Sequence, residues 1–162
     1  MPLHSSLRCL ALGVLVTLAQ LALAVGFTKP EGSLGERYLT LVQHDSYWFA
    51  NISDRGYGTT LPPSDHKEME VSNVAFFPAY PLLAKAVKRV TGLGTYPALL
   101  VAAQAATVGF WTYFFLFGAR WKLSLSLQLF GALSIAAHPA AFFLVAGYSE
   151  SLFLMSLVGF IY

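Results

Sequence analysis

The sequence predicts an all-α, polytopic transmembrane helical bundle with interfacial amphipathic helices in its first external loop. Three observations predict this. Apolar residues make up 56% of the 162 positions and charged residues only 11%, where an ordinary soluble domain carries about 25% charged. The charges are also gathered rather than spread. None falls between Arg8 and Lys29, between Arg89 and Arg120, or between Lys122 and Glu150, and each gap holds the roughly 20 apolar residues a spanning helix needs. Finally, the polar segment between the first two gaps keeps an approximately helical spacing of its aromatic and aliphatic residues.

The elements follow in order. A first span covers about 7–27. A secretory signal peptide is the alternative there, with Arg8 ahead of an apolar core and Ala22-Leu23-Ala24 as a cleavage site. Either way the next segment lies outside the cytoplasm. The external loop, 28–95, is close to neutral, with seven acidic and seven basic residues. Within it "LGERYLTLVQHDSYWFANI" places Leu34, Tyr38, Leu41, Val42, Tyr47 and Trp48 near helical spacing, which suits a helix or helix pair at the membrane interface. "YGTTLPPSDHKEMEVSN" carries loop residues. "AFFPAYPLLAKAVKRVTG" reads as a second amphipathic helix. Pro78 and Pro81 suit its first turn, and Lys85, Lys88 and Arg89 form one polar stripe.

A second span is expected at 96–118, a tight turn at "ARWK", and a third span at 123–147 kinked by Pro139. After the polar break "GYSES", a fourth span starts at 151–162. The chain stops inside that apolar run, so it is expected to be an N-terminal fragment of a longer polytopic protein. Arg8, Arg120 and Lys122 are the charges near the two proposed cytoplasmic ends, and all are positive. That orientation puts Asp45 and Glu150, about a hundred residues apart, on the same non-cytoplasmic face.

Several function classes are disfavoured. A net charge of +2 without a basic cluster does not argue for nucleic acid. The single cysteine, Cys9, cannot form an internal disulfide or a Cys-x-x-Cys metal site. His44, His66 and His138 are too scattered for a ligand pair on one helix, so no metal is expected. No phosphate-binding glycine loop or serine nucleophile elbow is present. Asn51-Ile52-Ser53 is a glycosylation sequon, but it lies inside the stretch of greatest chemical interest. A transporter would place ionisable residues within its spans; here the spans hold none but His138, and the acids and bases sit at the external face.

Asp45 and Glu150 are the candidate chemical groups. A carboxylate ringed by aromatics at a membrane surface suits general-base work, because partial burial raises its basicity. The plain alternative for Asp45 is a helix N-cap or an ion pair with Arg37 or Arg55. For Glu150 it is ordinary helix-start chemistry in Ser149-Glu150-Ser151.

Three stretches, "HDSYWFANISDRGYG", "NVAFFPAYPLLAK" and "GYSESLFL", resemble the successive motifs of the PIG-V family of mannosyltransferases. That family includes the enzyme that adds the second mannose of the GPI anchor, and bacterial relatives. The family has Trp before the aspartate, where this chain has His44. The resemblance implies a C-type glycosyltransferase (GT-C) fold, a polyprenyl-phosphate or dolichyl-phosphate sugar as donor, no cofactor, and a glycan or lipid acceptor. It implies Asp45 as the catalytic base and Glu150 at the family's acidic position. His44, Arg55, Tyr57, Tyr80 and Tyr148 become expected substrate-binding residues, with Lys85, Lys88 and Arg89 as further cations. The expected setting is a bacterial inner membrane, or the endoplasmic reticulum membrane in a eukaryote. A non-catalytic membrane subunit, or an inactive fragment of such a transferase, is the competing expectation.

Overall fold

The computed structural model describes residues 3–28, 31–58 and 72–162, and every regular element among them is helical. Two helices are long and apolar enough to cross a membrane by length and composition: α1 (Leu3–Thr28) and α5 (Thr95–Arg120). Each has 26 residues, or about 39 Å at 1.5 Å per residue. Their limits fall close to the expected 7–27 and 96–118.

Between them lie three shorter helices, α2 (Leu34–Leu39), α3 (Ser46–Arg55) and α4 (Ala79–Thr91). Local chemistry sets their ends. Ser33 and Glu36 close a capping box at the start of α2. Arg37, on α2, donates to the carbonyls of Val25 (2.8 Å) and Gly26 (2.9 Å). It thereby satisfies acceptors that the last turn of α1 leaves open. Pro78 precedes α4, and Gly92, in the left-handed region at φ 72°, ends it. The expected helix or helix pair over 34–52 is a pair. It breaks at Thr40–Asp45, where His44 adopts a left-handed φ of 45°. Most of the expected turn-rich stretch, 59–71 with His66, lies outside the described residues.

The run 123–147 differs from the single kinked span the sequence suggests. It is α6 (Leu125–Ala136) followed by a 3-10 turn at Pro139–Leu144. Pro139 cannot donate a hydrogen bond, and its ring drives His138 into an extended conformation (ψ 136°). His138 Nδ1 then accepts from Ala140 N at 3.2 Å and caps the new turn. The proline therefore breaks the helix rather than bending it. α6 alone has 12 residues, about 18 Å, which is short of a hydrocarbon core of about 30 Å. The last element is α7 (Glu150–Ile161).

α5 is the centre of the bundle. It packs most extensively against α1 and α7, and its N-terminal third carries α3 and α4. Trp111 and Phe115 are fully buried, with Cys9, Ala132 and Leu144 around them. Trp111 Nε1 donates to Gln20 Oε1 at 2.7 Å, which ties α1 to α5. α1 runs antiparallel to α5, since Cys9 lies with Phe115 while Ala24 lies with Leu100. α7 runs parallel to it: Leu152 packs beside Leu99, and Gly159 faces Tyr113. Glycines let these backbones close in, as in tightly packed membrane helices. A Cβ on Gly13 would lie 3.0 Å from Val108 O, and one on Gly109 would collide with Met155. Outward-facing apolar residues remain exposed, among them Leu15, Leu18 and Phe27 of α1, Phe130 and Leu133 of α6, and Phe160 of α7. Apolar surface this continuous is unusual on a water-facing monomer.

Candidate active site at the loop end of the bundle

The directions of these helices bring one end of the bundle together: the C-terminus of α1, the N-termini of α5 and α7, and the helices α2 to α4. At this end the three motif stretches pack against one another. Phe76 of the second stretch stacks on Trp48 at 5.9 Å and meets Phe49 edge-on at 5.2 Å. Phe49 also meets Tyr80 edge-on at 5.0 Å. Asn73 is fully buried and is the polar fastener. Its Nδ2 donates to Asn51 Oδ1 (3.2 Å) and Gly56 O (3.1 Å), and its Oδ1 accepts from Gly58 N (2.9 Å). The third stretch joins through the backbone, where Gly147 N donates to Leu41 O at 3.1 Å. Gly147 sits so close to α3 that a Cβ there would lie 2.9 Å from Ser46 Oγ.

Asp45 precedes α3 and Glu150 opens α7, so this contact joins the segments that hold the two carboxylates. Electrostatics records their proximity. Partial burial raises the Glu150 carboxyl above its usual range, and the charge of Asp45 raises it further against the lowering effect of backbone hydrogen bonds. The buried phenol of Tyr148 is raised by burial and by the charges of Asp45, Glu150 and Tyr47. Tyr80 is raised by burial first and by Glu150 second. The Gly147–Leu41 bond and the Gly147–Ser46 approach thus set the segment of Asp45 beside that of Tyr148 and Glu150. Ser46 and Ser151, each next to a carboxylate, are fully buried, and their hydroxyls lack a hydrogen-bond partner among the described residues.

Asp45 is exposed and takes the N-cap position of α3, yet its side chain caps no N–H. Arg37 gives its donors to α1, and Arg55 lies ten residues along α3, about 15 Å away. The capping and ion-pair alternatives for Asp45 thus have no structural counterpart. Glu150 does start a helix, but it also lines two apolar cavities. One, of about 650 Å³, includes His138, Phe143 and Leu154. The other, of about 390 Å³, includes Phe77, Tyr80 and Phe153.

The remaining expected residues fall elsewhere or have other duties. The left-handed His44 forms the turn that sets the entry to α3. Tyr80 is buried and its hydroxyl donates to Leu99 O at 2.9 Å, so only its ring is free to line a cavity. Tyr57 donates to Phe76 O at 2.6 Å and braces the loop. Arg55 lies beside Asp54 and lines a different cavity. Lys88 leaves the expected stripe and pairs with Asp54 at 2.8 Å. Among the described residues no three His, Cys, Asp or Glu side chains gather as a metal set. Asn51 of the sequon is half-buried within α3 and engaged by Asn73, which leaves it poorly presented for glycosylation. Sequence reasoning passed over Gln104, whose Oε1 accepts from the Tyr38 hydroxyl at 2.9 Å and whose Nε2 donates to Val145 O at 3.3 Å. A lone amide within an uncharged span was the signal for it.

The coupling has a pH consequence. A carboxyl raised by folding favours the folded state while protonated. Its contribution is present below the ordinary glutamate range and is lost as pH rises through the raised value. Asp45→Asn is expected to shrink this loss by removing one cause of the shift, and Glu150→Gln to abolish it. Unfolding midpoints measured from pH 4 to 8 check both. Identical profiles for wild type and Glu150→Gln would refute the assignment. No family model, curated protein or solved structure matches the chain.

Proposed function

We propose that this chain is an integral membrane glycosyltransferase of the PIG-V type with a GT-C bundle. It transfers a hexose, mannose first among candidates, from a polyprenyl- or dolichyl-phosphate donor to an acceptor hydroxyl on the non-cytoplasmic face. One observation carries this proposal: two segments about a hundred residues apart, each bearing a carboxylate on a motif stretch resembling that family, pack together at one end of an apolar helical bundle. Two further features support it. The outer helix faces are apolar, as lipid contact requires, and the cavities beside Glu150 are apolar enough for a lipid chain while ending at a carboxylate.

The chemistry follows from the charges. Asp45, open to solvent, takes the proton from the acceptor hydroxyl as that oxygen bonds to the anomeric carbon. The bond from that carbon to the phosphate oxygen breaks, and the lipid phosphate leaves with the electron pair. Glu150, whose carboxyl burial raises above its usual range, can in its protonated form meet the departing phosphate as a donor.

The test is transfer from radiolabelled polyprenyl-phosphate mannose in membranes containing the chain, comparing wild type with Asp45→Asn at equal insertion. Loss of a general base is expected to cost at least about a hundredfold. Equal transfer by both proteins would move the base to Glu150. Absence of transfer by either would favour a non-catalytic membrane subunit.

A further inference from the structure

A second cavity, of about 480 Å³, opens where the C-terminal half of α3 meets the start of α5. Its size falls within the range of small-ligand pockets. Tyr47 and Tyr96 flank it, their rings meeting edge-on at 6.1 Å while remaining 55% and 45% exposed. Such exposure leaves ring surface for a ligand to cover. Asn51, Asp54, Arg55 and Thr95 supply the polar wall.

That wall is built rather than incidental. Asp54 accepts from Lys88 Nζ at 2.8 Å and from Thr95 Oγ1 at 2.9 Å. Burial pushes its carboxyl up, but those hydrogen bonds and the Lys88 and Arg55 charges outweigh burial and keep it below its usual range. Asn51 Oδ1 is occupied by Asn73, so the amide turns its N–H donors elsewhere. Arg55 is exposed and adds guanidinium donors. Acceptors and donors of opposite charge therefore line one cavity together with two aromatic rings. A phosphate would be drawn by Arg55 and repelled by Asp54. A polyhydroxyl ligand can use both, and can lay its C–H face on a ring.

We propose that this cavity is a carbohydrate-binding subsite distinct from the carboxylate pair, taking a sugar residue of the acceptor. Its role as an acceptor subsite rests on the transferase proposal, whereas sugar binding there does not. Tyr47 links the two places in sequence, lining the cavity two residues after Asp45.

The experiment uses the full chain in phosphatidylcholine nanodiscs, free of sugar detergents. Saturation-transfer NMR probes the methyl glycosides of mannose, glucose and galactose, and separately mannosyl diacylglycerol placed in the discs. The variants are Tyr96→Ala and Arg55→Gln, both at exposed positions, with Asp45→Asn as comparison. Affinity for at least one probe is expected to fall about tenfold or more in the first two variants and to persist in Asp45→Asn. If the free glycosides show this pattern, the ligand is a soluble saccharide; if only the glycolipid does, the sugar is lipid-borne. Binding lost only in Asp45→Asn, binding unchanged in Tyr96→Ala and Arg55→Gln, or no binding of any probe would overturn the proposal. Retained sugar binding alongside absent mannose transfer would leave this subsite standing and remove the transferase proposal alone.

Discussion

Replacing Trp111 with alanine is expected to destabilise the fold by about 3–5 kcal/mol. Trp111 heads the fully buried side chains by volume, and it sits where α1, α5 and α6 share one core. Its ring packs against Phe110 at 4.8 Å and Phe114 at 5.5 Å, and these contacts go with the indole. The substitution also strips Gln20 Oε1 of its donor. Gln20 Nε2 already lacks a partner among the described residues, so among them the whole amide would be left without one. Trp111→Phe separates the two contributions, because it keeps most of the ring packing and loses the hydrogen bond, at about 1–2 kcal/mol. Denaturant unfolding in detergent would measure both. A cost below about 1 kcal/mol for the alanine variant would mean that α5 is not the centre of the core.

Asn73→Ala is expected to be the next most damaging change, at about 2–4 kcal/mol. It leaves Gly58 N–H, Gly56 O and Asn51 Oδ1 without the partner they share, and each buried orphan costs about 1–3 kcal/mol before water compensates in part. Asn73→Asp is the informative companion, since it keeps an acceptor for Gly58 N–H but loses both donated bonds. Its cost should equal or exceed that of alanine, because a buried carboxylate would face the two oxygens that Asn73 Nδ2 now satisfies. Thermal midpoints of the three proteins in the same discs would show the order. A neutral Asn73→Ala would mean that the aromatic packing of Phe76, rather than the amide, holds the second motif stretch in place.

The long helices were the most legible part of the sequence. An uncharged run without a breaker has little choice but to be one helix, and α1 and α5 end within a few residues of expectation. The run 123–147 looked the same by charge. Its break depends on whether neighbouring groups take over the freed backbone bonds at Pro139, and here the His138 ring does so locally. Topology alone placed Asp45 and Glu150 on one face. That their segments pack together depends on the Gly147–Leu41 backbone bond and on the small size of Gly147, neither of which periodicity encodes. Charge spacing did not reveal the partner of Lys88. A stripe on one helix says nothing about Asp54 on another, and that carboxylate draws Lys88 out of the stripe.

The hydrogen bond from Gly147 to Leu41 also has a meaning in time. Asp45 leaves the ribosome roughly a hundred residues before Glu150, an interval of about 5–20 s at ordinary elongation rates. Throughout that interval the first and second motif stretches can already be packed, yet the nascent chain has only one of its two carboxylates. The two segments can pack only once α7 has been made and has settled alongside α5. In that order of assembly the segment of Asp45 waits for its partner while α4, α5 and α6 are laid down between them.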